Sequence, residues 1–273
     1  MKKIRIRKKA KQIIISPFDK LVNLRKEYRN AETKSLRSNF THISVSKIAN
    51  QFYCEMQLEM MKKYGRIETR KMRIGSIQHE EIASLAVEKS LADIKKRINT
   101  GATVRLVETL LFMKYKGIFI LGAPDCITFV RRKPKYIIER KFSNNLQFNQ
   151  SQHIQANLYC LLLDELGFNT KNMYYVIVIS TSVCRDCFIL DEHRICNFAI
   201  KKGGIIRKKD ICHSCSEGRI VLQAQKYDRG RIISDLEWAL EYWLKKRKAI
   251  PTKLQRKCRL CNYEEKCPSS LMR

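Results

Sequence analysis

GAPDCITFVRRKPKYIIERK, residues Gly122 to Lys141, reads as two short strands joined by a basic turn. Asp125 opens the first strand, and Glu139 and Lys141 lie near the end of the second. Side chains two apart on a strand share a face, so Glu139 and Lys141 emerge together, and Asp125 joins them if the strands pair. Two carboxylates and one ammonium at a strand edge suit a hard divalent cation, Mg²⁺ or Mn²⁺, that keeps some of its waters. That combination attacks phosphodiesters. Lys141 can steady or deprotonate the attacking water, or neutralise charge developing on the phosphate. An Asp followed by Glu-x-Lys is commonplace on solvated edge strands, so the flanking sequence decides.

Working outward, the chain of 273 residues carries 55 Lys and Arg against 26 Asp and Glu, a formal charge of +29. A charge that large costs stability through self-repulsion and favours polyanionic partners, nucleic acid first. The basic residues are spread along the whole chain, not gathered beside an apolar span, which argues against a membrane surface. No apolar run has the length of a transmembrane helix. The charged start MKKIRIRKKAKQIII is followed by too short an apolar stretch for a signal peptide, so an intracellular, cytoplasmic protein is expected. Eleven cysteines in such a protein suggest metal ligation before disulfides.

The N-terminal residues 1–40 read as a basic arm that touches phosphates or merely solubilises. A helix is expected from about Ser44, with Ile48, Phe52, Met56 and Met60 on one side, Cys54 within it and Gly65 at its end. A second follows Gly75-Ser76 and runs to about Asn99, with His79 in its first turn and Ile82, Leu85, Ala86 and Ile94 as its stripe. Val104 to Ile120 reads as a strand pair turning at Lys116-Gly117. After the Asp125 hairpin, a helix over about Ser151 to Leu166 places Gln155 and Tyr159 on one face. Tyr174 to Ile179 is a buried central strand. The alternation argues for an α/β (α+β) fold around a mixed sheet flanked by helices.

Residues 181–230 break the pattern. Cys184-x-x-Cys187 and Cys212-x-x-Cys215 flank an expected Gly203-Gly204 hairpin turn, the layout of a small zinc-ribbon-like insertion that can bind Zn²⁺. Free buried cysteines, or an exchange of ligands with the C-terminal cysteines, are the competing readings, with His193, Cys196 and His213 as spare ligands. Cys126 and Cys160 are expected to pack as small apolar residues. The main domain then resumes with a helix opened by Ser234 and Glu237 as a capping box. It carries Leu236, Leu240, Trp243 and Leu244 as its stripe, and the chain ends in KCRLCNYEEKCPSSLMR.

Taken in order, Gly75–His79, Gly122-Ala-Pro-Asp125, Glu139-Arg-Lys141 and Gln155-x-x-x-Tyr159 resemble the motif series of the RecB-like branch of the PD-(D/E)xK nuclease superfamily. The resemblance implies a restriction-endonuclease-like core over 41–180 and 231–273. It makes His79, Asp125, Glu139 and the backbone carbonyl of Arg140 the ligands of Mg²⁺ or Mn²⁺, and Lys141 the catalytic lysine. Gln155 and Tyr159 would position the lysine, the metal's water or the DNA.

Cys54 before these motifs, with Cys258-x-x-Cys261 and Cys267 after them, resembles the iron–sulfur nucleases, most closely the CRISPR-associated exonuclease of the Cas-four type. In that group four such thiolates hold a [4Fe–4S] cluster that clasps the two ends of the chain. Zinc suits four thiolates as well. The implied activity is a DNA exonuclease trimming single-stranded ends, and the closest resemblance implies fragments readied for CRISPR spacer acquisition beside the CRISPR integrase complex. A stand-alone nuclease of repair, recombination or viral genome processing fits the same residues, and a non-cleaving nucleic-acid clamp on that fold fits the charge.

Overall fold

The computed structural model of the chain describes residues 16–31, 36–69, 73, 76, 90–181, 188–189, 191–211 and 218–273. The first half runs α1 (Pro17–Arg29), β1 (Ile43–Ser44), α2 (Val45–Gln51), α3 (Glu55–Tyr64), α4 (Leu91–Asn99), β2 (Val104–Val107), β3 (Leu111–Tyr115) and β4 (Ile118–Gly122). Then come β5 (Cys126–Val130), β6 (Lys133–Phe142), α5 (Gln150–Leu166), β7 (Tyr174–Ser180), α6 (Glu192–Lys202), β8 (Ile205–Arg207), β9 (Ile220–Lys226), α7 (Arg229–Trp243) and α8 (Gln255–Arg259).

A six-stranded mixed sheet in the order β2-β5-β6-β7-β9-β8 is the frame. The β5–β6 hairpin turns at Arg131 and Arg132, both with positive φ (48° and 69°), the twist-compatible geometry of a two-residue hairpin loop. β6 and β7 are parallel, with Glu139 opposite Ile177 and Lys141 opposite Ile179. A parallel pair needs a crossover, and α5 supplies it. Asn149 and Gln152 form the capping box of that helix and Gly167, in the left-handed region at φ 97°, ends it. Nearly every side of α5 between Ile154 and Leu166 is buried, as expected of a helix at the centre of a core.

The sheet is covered on both faces. On one, Ile137 and Ile177 share a core with residues of α5, α7 and the N-terminal α1; on the other, Tyr136, Ile138, Val176 and Val178 share a core with Ile195, Cys196 and Ala199 of α6. A smaller sheet, β1-β4-β3, lies in the first core through Ile43, Phe112 and Ile120.

Several expectations shift. Residues 17–29, read as part of a basic arm, form a helix whose Phe18, Leu21 and Leu24 are buried. The expected single helix from Ser44 to Gly65 is two, and Cys54 is the N-cap of the second rather than an interior residue. The helix expected to run from Gly75 to Asn99 has a fresh start at Ser90, whose side chain caps the Asp93 amide; Ile82, Leu85 and Ala86 lie outside the described residues. Val104 to Ile120 holds three strands, because β2 leaves the β3–β4 hairpin to pair with β5. Gly203-Gly204 ends α6 instead of turning a hairpin. The sheet takes β8 and β9 from the 181–230 segment, with β9 paired along the length of β7. α7 is capped by Asp228, six residues before the expected Ser234 opening, and the Asp228 side chain accepts from the Arg231 amide.

Candidate active site and cysteine cavity

Asp125 stands just before β5, and its Oδ2 accepts from the Arg140 backbone N–H at 2.5 Å. That bond spans the hairpin and brings Asp125 to the part of β6 that carries the E-R-K triplet. Glu139 and Lys141 point to the α5 face, where Lys141 Nζ lies 2.5 Å from Glu139 Oε1. Lys141 also donates to Gln155 Oε1 at 3.3 Å, and Gln155 Nε2 donates to the Tyr159 hydroxyl at 3.2 Å. Burial works to strip Lys141 of its proton, but the Glu139 and Asp125 carboxylates outweigh it and hold the ammonium above the ordinary lysine value. Burial raises the Tyr159 hydroxyl well above its usual range, and the same two carboxylates add to the effect. Asp125, Glu139, Lys141, Gln155 and Tyr159 thus form one group, built by two strands and one helix.

Gly122 belongs to this group for a steric reason. A Cβ there would meet Tyr159 Cε1 at 2.7 Å and Val45 Cγ2 at 2.9 Å, closer than carbon atoms approach. The absent side chain lets the Tyr159 ring cross over the end of β4. The sequence showed a glycine ahead of Pro124 and Asp125 but not the ring that requires it.

The second grouping joins the ends of the chain. Cys54, Cys258, Cys261 and Cys267 line one cavity together with Met56 and Met60. Burial pushes the Cys261 thiol up, and the neighbouring Cys54 and Cys267 add to it. Protein contacts hold both sides of the cavity. Glu55, buried at the start of α3, accepts from Arg247 Nη1 and Nη2 at 2.6 and 2.7 Å and from the Ile250 amide at 2.6 Å. Lys257 Nζ donates to the Tyr53 carbonyl at 2.8 Å, next to Cys54. The Tyr263 hydroxyl donates to the Gly65 carbonyl at 2.6 Å and accepts from the Ile67 amide at 3.1 Å. The Glu55–Arg247 tie was not foreseen, because no spacing rule connects residues so far apart.

His79, Cys184, Cys187, Cys212, Cys215 and His213 lie outside the described residues. Cys126, Cys160 and Cys196 are free and fully buried, and His193 Nδ1 is 2.8 Å from the Tyr136 hydroxyl. Among the described residues no three His, Cys, Asp or Glu side chains form a group able to hold a single metal ion. None of their helices is long and apolar enough to cross a membrane.

No protein-family model matches the chain, and no curated protein matches it. Among solved structures, the crystal structure of SSO0001 is similar over 92% of this chain and 95% of that one, at 15% identity and a TM-score of 0.46.

Proposed function

We propose that this chain is a metal-dependent nuclease that hydrolyses DNA, trimming single-stranded ends. The observation that carries the reading is the convergence of Asp125, Glu139 and Lys141 on one hairpin, with the Arg140 amide binding Asp125. Two carboxylates side by side are hard oxygen donors of the kind Mg²⁺ and Mn²⁺ take. Asp125, Glu139, the Arg140 carbonyl and His79 are the residues that would hold the ion, which when bound supplies an activated water for attack at phosphorus. With no ion bound, the two carboxylates hold Lys141 above the ordinary lysine value; its ammonium form would neutralise charge gathering on the phosphate. Gln155 accepts from the ammonium and donates to Tyr159, which fixes the direction of the lysine.

The four cysteines of the terminal cavity would hold a [4Fe–4S] cluster. Four thiolates are the ligand set such a cluster would take, and it would tie the two ends of the chain together. Zn²⁺ is the alternative occupant of these thiolates, and the Cys184, Cys187, Cys212 and Cys215 knuckles would hold a zinc of their own. The charge of +29 implies DNA held mainly through phosphates, with affinity that falls steeply with salt. The likeness of motifs to the Cas-four-type exonuclease adds fragments destined for spacer insertion as substrate and the CRISPR integrase as partner; gene neighbourhood separates this from a repair or viral role.

The test is loss of labelled single-stranded DNA with Mn²⁺. Lys141→Ala lowers the rate by about 10²–10³-fold or more, the scale of removing one preorganised electrostatic contact. Lys171→Ala, remote on the surface, leaves it unchanged. A wild type that binds DNA but leaves it intact under both Mg²⁺ and Mn²⁺ overturns the nuclease reading in favour of a non-cleaving clamp.

A further inference from the structure

Arg140 lies between Glu139 and Lys141, so its side chain leaves β6 by the opposite face and enters the core beneath α6. There its guanidinium pairs with Glu192, in the first turn of that helix, and both side chains are almost fully buried. The other Glu192 oxygen lies 2.7 Å from Arg105 Nη2 on β2 and 3.7 Å from Cys126 Sγ on β5. One carboxylate therefore binds side chains from three consecutive strands of the sheet. Two of the three partners adjoin the site: Cys126 directly follows Asp125, and Arg140 supplies the amide that Asp125 accepts from.

The placement is unusual for a helix that needs only to pack. Glu192, Ile195, Cys196 and Ala199 are the buried residues of α6, spaced at three, four and seven, so the acid occupies a position on the apolar stripe. A buried ion pair rarely gains stability over well-packed apolar residues of the same volume, because desolvation consumes the Coulomb attraction. Stability alone gives no reason for the acid there. Register does, because an apolar side chain would let β5 and β6 adjust, whereas a carboxylate with three partners fixes them together.

We propose that Glu192 is a positioning residue of the active site. From behind the sheet it pins Arg140 and the start of β5, and so fixes the Asp125–Arg140 hydrogen bond that sets the two front-face carboxylates side by side. The consequence for catalysis rests on the nuclease reading above; the consequence for the hydrogen bond does not.

The experiment uses the full ¹⁵N-labelled chain and follows amide exchange at residue 140 against that at Ile177 on the neighbouring strand. Glu192→Gln speeds exchange at 140 by about tenfold and leaves Ile177 unchanged. Mn²⁺ affinity falls about tenfold, within the 10–100-fold range for partners behind a metal ligand, and kcat falls with it while KM for DNA holds. Should Glu192→Gln fail to fold, Arg140→Met with Glu192→Met removes both buried charges together and keeps the amide at position 140. Wild-type exchange at 140 in a folded variant overturns the proposal. A wild type without Mn²⁺ binding or cleavage, whose exchange at 140 still responds to Glu192→Gln, overturns the nuclease reading and upholds the positioning role.

Discussion

The strand site and the cysteine cavity are assembled in opposite ways. Asp125, Glu139 and Lys141 come from one hairpin, and Gln155 and Tyr159 from the helix that follows it, so local pairing brings them together as soon as β5 and β6 register. The cavity draws Cys54 from the start of α3 and its other three cysteines from the chain's end. Its alignment depends on side chains that reach across that separation: Glu55 to Arg247, Lys257 to the Tyr53 carbonyl, Tyr263 to Gly65. The difference teaches where each kind of change is felt. A substitution in the strand site should remove chemistry and spare the fold, and one in the cavity should do the reverse.

The largest expected effect tests that division directly. Cys258→Ala, in protein purified without oxygen, opens a closure over roughly 200 residues and lowers unfolding stability by about 4 kcal/mol, by analogy with a long-loop crosslink. The urea midpoint should fall with little change in slope, and thiolate-to-iron absorbance should disappear. Folded Cys258→Ala should still cleave DNA. Asp125→Asn should show the converse, with cleavage lost, absorbance kept and stability within about 1 kcal/mol of wild type, the range of changes that create no cavity. A stable, colourless Cys258→Ala with wild-type midpoint would break the comparison, because the tail would then be docked by protein contacts alone.

Legibility follows the same division. The basic turn between β5 and β6, the Lys116-Gly117 turn, α5 and β7 were readable because each depends on residues close in sequence: a charged break between apolar runs, a glycine-containing dipeptide, 3.6-residue periodicity and a continuous apolar run. The grouping of Asp125 with Glu139 and Lys141 was readable because strand alternation fixes faces. The gathering of four distant cysteines came from motif resemblance, and no local rule reaches that far. What stayed hidden was tertiary. Nothing local says that β2 deserts the β3–β4 hairpin, that β8 and β9 extend the main sheet, or that α1 is core rather than arm. Glu192 left one visible trace, an acid on the apolar stripe of α6, and Glu55 none.

A middling effect is expected at Gly122, where the two sheets approach each other through Tyr159. Gly122→Ala forces the Tyr159 ring or Val45 aside at a cost of about 1–3 kcal/mol, the usual range for overpacking. It also turns Tyr159 away from Gln155. Cleavage should fall more than the midpoint suggests, with the iron absorbance untouched. A double variant with Tyr159→Phe should lose no further activity if the two substitutions act through the same contact. Additive losses would mean that Gly122 acts on the site by another route.

The smallest effect concerns acid, and it sharpens the comparison because it should reach only one side of the molecule. His42 precedes β1, which pairs with β4 just ahead of Gly122. Its ring nitrogen lies 3.0 Å from the Tyr28 hydroxyl and 3.0 Å from Thr41 Oγ1. Burial, with Lys47 nearby, lowers the His42 value below that of free histidine. A depressed value means that the unfolded chain takes up the proton first, so stability is full above about pH 6.5 and declines as pH falls from there through the folded-state value. The decline is shallow, because the ring is only part-buried and solvent screens its charge. The ties across the cavity run through Glu55, Arg247, Lys257 and Tyr263, with no histidine among them. Between pH 7 and pH 5, amide exchange should therefore quicken along β1 and β4 before it does in α3 and α8, and His42→Asn should flatten that early change. Simultaneous loosening of both regions would show that the two sites, built so differently, unfold as one unit.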